Sequence, residues 1–318
     1  MIRRRFLFML GGAGGLAALG LLPARGFRKA ERTSRALGSQ VSLTALHEDL
    51  ATAERAIDDA FAELELVEEV MSLYRPHSQI CRLNREGTLE KPHPYLLDVL
   101  RAAERMSRRT DGAFDVTVQP LWVLRSAGRI PDPADLRLVD WRQVGLSDER
   151  IRLRSGGRIT LNGIAQGFAA DRVRAALQAR SIRHALVDTG ELGALGRKAD
   201  GTPWTAGIQH PREADAYAAI AELDGRFMAT SGDYATRFSA DFRDNHIVDP
   251  RTGLSPVAFS SVTVLAPTGM EADALSTAIF VLGPEKGLDL VRATPGADAL
   301  FVRKDGRVTV TPGFPRTA

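Results

Sequence analysis

Ser261-Val262-Thr263-Val264-Leu265-Ala266 is a β-branched, apolar run, and Met270-Glu271-Ala272-Asp273-Ala274-Leu275-Ser276-Thr277-Ala278-Ile279-Phe280 behind it is rich in helix formers. The pair reads as a strand feeding a helix. On that helix Asp273 and Thr277 lie four residues apart and share one face. A carboxylate beside a hydroxyl is a pair of hard oxygen ligands, suited to Mg²⁺ rather than to a soft metal. The same spacing also describes a solvated face or a helix start, so the rest of the chain must decide.

Upstream, residues 40–46 read as a strand, and residues 49–70 as a long amphipathic helix carrying Ala53, Ala56, Ile57, Ala60, Phe61, Leu64 and Val67 on one side. Residues 71–84 are turn-rich and read as a surface loop, and Pro94 opens a helix over 95–107. Asp111-Gly112 marks a turn, and Asp115 follows among apolar neighbours. Residues 124–150 read as loops and short elements. A short strand over 158–162 leads through Gly163-Ile164-Ala165-Gln166-Gly167 into a helix ending near Ala179. Strand, glycine turn and helix N-terminus can present backbone N–H groups to an anion such as phosphate, although a plain turn has the same pattern. It is neither the three-glycine dinucleotide fingerprint nor a Walker loop. Residues 184–188, 204–208 and 226–229 read as strands, Thr230-Ser231-Gly232-Asp233-Tyr234 as a polar turn, and residues 299–302 with 307–311 as a closing hairpin. Strands interleaved with helices predict an α+β fold: a single compact domain on a mixed or antiparallel sheet with packed helices.

The chain has 318 residues, 44% hydrophobic and 25% charged, which is enough for a large core and ordinary for a globular protein. Arg3-Arg4-Arg5-Phe6-Leu7, the apolar run from Phe8 to Leu22 and Ala24-Arg25-Gly26 fit a twin-arginine signal over residues 1–26, with a mature domain over 27–318 in the periplasm. An uncleaved anchor is the other reading, but the run is short and glycine-rich for a membrane span. The first 26 residues hold four of the 42 Lys and Arg and none of the 39 Asp and Glu, so the remainder carries 38 against 39, near −1. That balance excludes an argument for nucleic acid from charge. Cys81 is the only cysteine, so no intrachain disulfide forms.

Several motifs fit one family in order. They are Met71-Ser72-x-Tyr74 with Ser78-x-Ile80-x-x-Leu83-Asn84, Gly112-Ala113-Phe114-Asp115-Val116-Thr117 and Gly163-Ile164-Ala165-Gln166-Gly167-Phe168-Ala169. Thr230-Ser231-Gly232-Asp233-Tyr234, His246-Ile247-Val248-Asp249-Pro250-Arg251-Thr252-Gly253 and Ala272-Asp273-Ala274-Leu275-Ser276-Thr277 follow. The sequence resembles the FAD:protein FMN transferases, the ApbE family, whose domain is T-fold-related. The resemblance implies an enzyme that cleaves FAD, joins FMN through a phosphoester to a Thr or Ser of an acceptor flavoprotein, and releases AMP. It implies Mg²⁺ held by Asp273, Thr277 and the carbonyl of Gly163, with Ser276 as an extra ligand. Leu37, Tyr74, Ala113, Phe114, Asp115, Thr160, Gln166 and Val248 would line the FAD site, and His246 would deprotonate the acceptor hydroxyl, with Asp273 also catalytic. Gln166 stands where the family often has Lys or Glu, and Thr160 where many relatives have Asp. The twin-arginine pattern and the Asn162-Gly163 and Thr189-Gly190-Glu191 variants resemble the NosX-like branch of nitrous oxide reduction, whose acceptor would be a membrane-bound, NosR-like electron-transfer protein. A Mg²⁺-dependent FAD pyrophosphatase and a non-catalytic FAD-binding accessory protein are the alternative readings.

Overall fold

The computed structural model describes residues 26–317. All of the predicted signal except Gly26 therefore lies outside the described residues. The first elements are a hairpin of β1 (Arg28–Ala36) and β2 (Ser39–His47), then α1 (Leu50–Met71). Asp49 caps α1, its carboxylate accepting from Ala51 N at 3.3 Å and Thr52 N at 3.0 Å. The stripe of Ala53, Ala56, Ile57, Ala60, Leu64 and Val67 is buried, as its periodicity predicts.

Next come α2 (Gln79–Glu86), β3 (Thr88–Glu90), α3 (Pro94–Arg109), α4 (Gln119–Ser126) and α5 (Pro133–Leu136), followed by β4 (Gly145–Leu146) and β5 (Arg150–Arg152). Then follow α6 (Ala165–Ala179), β6 (His184–Asp188), β7 (Leu192–Leu195), β8 (Trp204–Gln209), β9 (Tyr217–Leu223) and β10 (Phe227–Gly232). The chain finishes with β11 (Phe259–Ala266), α7 (Gly269–Leu282), α8 (Pro284–Arg292), β12 (Asp298–Arg303) and β13 (Val308–Val310).

The main sheet has eight strands in the order β1-β2-β6-β7-β10-β11-β12-β13. Each neighbouring pair is antiparallel, which resolves the mixed-or-antiparallel expectation. Every residue of β11 is buried. Both faces of the sheet are covered, so the strand is buried along its whole length, its hydroxyls Ser260, Ser261 and Thr263 included. On one side, Val262 and Val264 of β11 share a core with α1, α3, α6 and α7; on the other, Leu265 joins Trp204, Ile208 and Leu223 of the β8–β9 hairpin. The domain is α+β, as expected, with helices, sheet and hairpin stacked in three layers.

Three local expectations are corrected. Residues 158–162 form no strand. Their backbone bonds go elsewhere: Ile159 N donates to Asn84 Oδ1 at 2.7 Å, Asn84 Nδ2 donates to Ile159 O at 2.8 Å, and Thr160 N donates to Val116 O at 2.8 Å. One asparagine side chain thus replaces a neighbouring strand. Within the expected loop at 71–84, α2 forms because Ser78 Oγ accepts from Cys81 N at 3.2 Å, Ile80 and Leu83 bury, and Gly87 closes the helix at φ +73°. Thr230, Ser231 and Gly232 continue β10, and the turn starts only at Asp233. β1, β7 and β9 were not anticipated; β1 is charged and mostly exposed, so it lacks the alternation that marks a strand.

Candidate functional site

The site is organised where α6 meets α7. Gly167 and Gly269 bring the two helices into backbone contact: a Cβ on Gly167 would lie 2.0 Å from Gly269 O, and one on Gly269 would lie 2.4 Å from Gly167 O. Only glycine permits that approach. It places Asp273, buried on α7, so that its Oδ2 accepts from Gly167 N at 3.0 Å. Gly167 N is one of the amides in the first turn of α6 that has no partner within its own helix.

One turn further along α7, Thr277 meets Gly163, where a Cβ would stand 2.9 Å from Thr277 Oγ1. Ser231 of β10 lies 2.8 Å from Ser276 Oγ and 3.2 Å from Thr277 Oγ1, and Ser276 Oγ donates to Asp273 O at 2.9 Å. The structure therefore brings together the predicted ligands Gly163, Asp273 and Thr277, with Ser276 and Ser231 beside them. All the donors are hard oxygens and one is a carboxylate. That set fits Mg²⁺, which takes one or two carboxylates and completes its shell with water and substrate phosphate. Among the described residues no three His, Cys, Asp or Glu gather as a metal-holding group, and this donor set would suit a soft metal poorly.

The predicted flavin-lining residues fall into three groups, from the β1–β2 turn with Tyr74 and Gln166, from the segment after α3 with Thr160, and from the loop after β10. Leu37 sits in the β1–β2 turn at φ +54°, and its N–H donates to Glu68 Oε1 at 2.8 Å. Arg75 donates to the other oxygen of Glu68 at 2.6 Å, tying the turn to the segment carrying Tyr74. The Tyr74 ring is 3.9 Å from a Cβ placed on Gly38, yet Tyr74 is 77% exposed. A large aromatic with most of its surface bare can stack on a planar ligand. From the same turn Ser39 reaches toward Gly190, and Gln166 packs on Gly190 as well: a Cβ there would meet Gln166 Nε2 at 2.7 Å and Ser39 Oγ at 3.5 Å. Gly190, at φ +97°, leaves room for Gln166 at the start of α6.

Ala113 and Phe114 are buried after α3, where Phe114 N donates to Thr110 Oγ1 at 3.1 Å. Thr160 joins them through its bond to Val116 O. Asp115 accepts from Thr117 N at 2.8 Å and Thr117 Oγ1 at 2.6 Å with one oxygen, and from Trp141 N at 3.0 Å with the other. Burial pushes its carboxyl above the ordinary range, against the pull of those bonds. Its side chain shapes the turn that presents Ala113 and Phe114.

His246 and Val248 come from the loop after β10. His246 N donates to Thr236 O at 2.9 Å, and its Nδ1 lies 3.2 Å from the same carbonyl. A carbonyl only accepts, so this contact puts a proton on Nδ1. The loop is pinned by Asp233, fully buried, which takes a fork from Arg212 at 2.8 Å on both oxygens and a further bond from Lys304. Arg212 also lies 4.1 Å over the Phe242 ring, and Lys304 donates to Phe242 O at 2.7 Å. The sequence alone points to no role for Ser231 or for the Arg212–Asp233–Lys304 cluster. Ser231 and Asp233 stand together in Thr230-Ser231-Gly232-Asp233-Tyr234, but Arg212 and Lys304 are distant in sequence and carry no signal. A cavity of about 240 Å³ between α3 and α7, lined by Arg105, Arg109, Ile164, Met270 and Glu271 among others, includes none of the predicted site residues.

The family model described as the ApbE family matches residues 37–301. A FAD:protein FMN transferase of Haemophilus influenzae is 33% identical over 280 residues, covering 80% of each chain. One of Salmonella typhimurium is 32% identical over 268 residues, covering 77% of this chain and 75% of its own. The apo crystal structure of Pseudomonas stutzeri flavinyl transferase ApbE superposes with a TM-score of 0.79 at 32% identity, covering 90% of this chain and 95% of that one.

Proposed function

This chain belongs to the ApbE family, and we propose that it transfers FMN from FAD to a hydroxyl of an acceptor protein. The observation that carries the reading is the convergence of Gly163, Asp273 and Thr277 at the N-terminal turn of α6. Phosphoryl transfer needs charge neutralised on the phosphoryl oxygens and a nucleophile held in line. Mg²⁺, when bound by Asp273, Thr277 and the Gly163 carbonyl, would supply that neutralisation. Tyr74 and Leu37 hold an aromatic end of FAD, while Ala113, Phe114, Thr160, Gln166 and Val248 line the path of the remainder. His246 Nε2 takes the proton of the acceptor hydroxyl. The hydroxyl oxygen bonds to the phosphorus of the FMN half, the bond from that phosphorus to the bridging oxygen breaks, and AMP leaves with the oxygen. The twin-arginine pattern supports a periplasmic location, and the NosX-like variants support a membrane-bound, NosR-like flavoprotein as acceptor.

Intact-mass measurement of an acceptor domain incubated with the protein, FAD and Mg²⁺ tests this. Addition of one FMN, lost with EDTA and lost in Asp273→Ala, is expected. Free FMN and AMP without acceptor labelling would mean hydrolysis, and bound, unchanged FAD would mean a non-catalytic binding protein.

A further inference from the structure

We propose that Asp171 is a positioning residue for the phosphoryl site, acting with Asp273 as one of two reciprocal helix caps that lock α6 against α7. The inference rests on the reading of the site given above. Both helices carry the same spacing, Gly167-x-x-x-Asp171 on α6 and Gly269-x-x-x-Asp273 on α7. Each Asp accepts from the other helix's glycine: Asp273 Oδ2 from Gly167 N at 3.0 Å, and Asp171 Oδ1 from Gly269 N at 2.8 Å. Asp171 Oδ2 also accepts from Met270 N at 2.9 Å, so both its oxygens serve the first turn of α7.

The exchange answers a local need. α6, preceded by Ile164 at its N-cap, has no side-chain cap of its own, and α7 has Thr268 Oγ1, which takes Glu271 N at 3.2 Å. Gly167 N in α6, and Gly269 N and Met270 N in α7, each donate to a carboxylate from the neighbour, and each carboxylate sits at the positive end of a helix dipole. Between the two caps the glycine backbones touch. One such link would fix only the separation of the helices. Two links, four residues apart on each helix, also fix rotation about the helix axes and translation along them. Asp273 lies one turn from Gly269 and Thr277 one turn beyond, so the direction of both oxygens follows from where the first turn of α7 is held. Among the described residues the Asp171 carboxylate bonds to those two amides and lies 3.5 Å from Arg174 Nη2, with none of Gly163, Asp273 or Thr277 among its bonding partners. It acts through α7.

The test compares the full chain with Asp171→Ala and Asp171→Asn. The Mg²⁺ concentration giving half of the Mg²⁺-induced rise in melting temperature is measured with FAD present and no acceptor, and FMN transfer is titrated with Mg²⁺ separately. Removing an outer partner of metal ligands should raise half-saturating Mg²⁺ about tenfold in Asp171→Ala. The shift should be smaller in Asp171→Asn, which keeps one acceptor oxygen, and the KM for FAD at saturating Mg²⁺ should hold in both. A role confined to stability would lower the melting temperature while leaving half-saturating Mg²⁺ at its wild-type value, and that result overturns the proposal. If Asp171→Ala does not fold, Asp171→Asn decides by the same criterion. A wild type without any Mg²⁺-induced shift overturns it too. Transfer by wild type with an indifferent Asp171 sinks the positioning role alone. A weakened Mg²⁺ response in the variants without transfer by wild type sinks the transferase reading and leaves Asp171 in place.

Discussion

Replacing Gly167 with alanine sets two physical effects against each other. In a helix, alanine is favoured over glycine by up to about 1 kcal/mol, so propensity alone predicts a more stable protein. The tertiary contact predicts the reverse. The new Cβ would lie 2.0 Å from Gly269 O and 2.8 Å from Asp273 Cβ. The nearer atom belongs to the backbone, so no rotamer change relieves the clash. Reaching an ordinary contact of about 3.4 Å requires α6 and α7 to part by roughly 1.4 Å. Overpacking of this kind costs about 1–3 kcal/mol, and a 2.0 Å contact with backbone sets the cost above the propensity gain. The expected result is a net loss of up to about 2 kcal/mol in urea unfolding, with m unchanged. The same displacement moves Asp273, and a misplacement of about 1 Å at a reacting centre lowers turnover by on the order of 100-fold. FMN transfer should therefore fall far more than the folded fraction does. A Gly167→Ala protein that is more stable than wild type and transfers FMN at the wild-type rate would refute the close-contact argument.

Three other outcomes are expected. Tyr74→Ala should leave the melting temperature nearly unchanged, because the ring is 77% exposed, yet raise the KM for FAD by the loss of about 1–3 kcal/mol of stacking; an unaltered KM removes Tyr74 from the flavin site. Asp233→Ala leaves Arg212 and Lys304 facing each other around a buried gap and should cost about 3 kcal/mol in urea unfolding, whereas a loss under about 1 kcal/mol would show that the cluster is not an anchor. Burial raises the Glu63 carboxyl, but bonds from Arg172 at 3.0 Å and Tyr95 at 2.8 Å outweigh it, so its folded pKa lies below the ordinary 4.5. The stability it contributes is present above the ordinary value and is lost as pH falls through the folded one. Glu63→Gln should melt lower than wild type at neutral pH, with the gap closing in acid; a gap independent of pH would contradict the linkage.

How far the site could be read in advance differs from group to group. Asp273 and Thr277 were visible because a helix repeat places i and i+4 on one face whatever the helix packs against. The long helix at 49–70 was visible for the same reason. Residues 158–162 misled because apolar alternation says nothing about which partner takes the backbone bonds, and here an asparagine 75 residues away in sequence does. The charged β1 gave no periodic signal because its side chains are mostly exposed, and it is held by its register with β2.

Local sequence alone determined the α+β alternation, most helix stripes and the oxygen pair on α7, since each follows from repeats of two or 3.6 residues within one segment. Tertiary structure decided what those segments do together. It turned Gly167 and Gly269 into a contact that admits no Cβ, gave each helix its cap from the other, and set Arg212 and Lys304 on Asp233 beneath the loop that carries His246. Such pairings depend on which backbones approach one another across the core, and no local repeat encodes that distance.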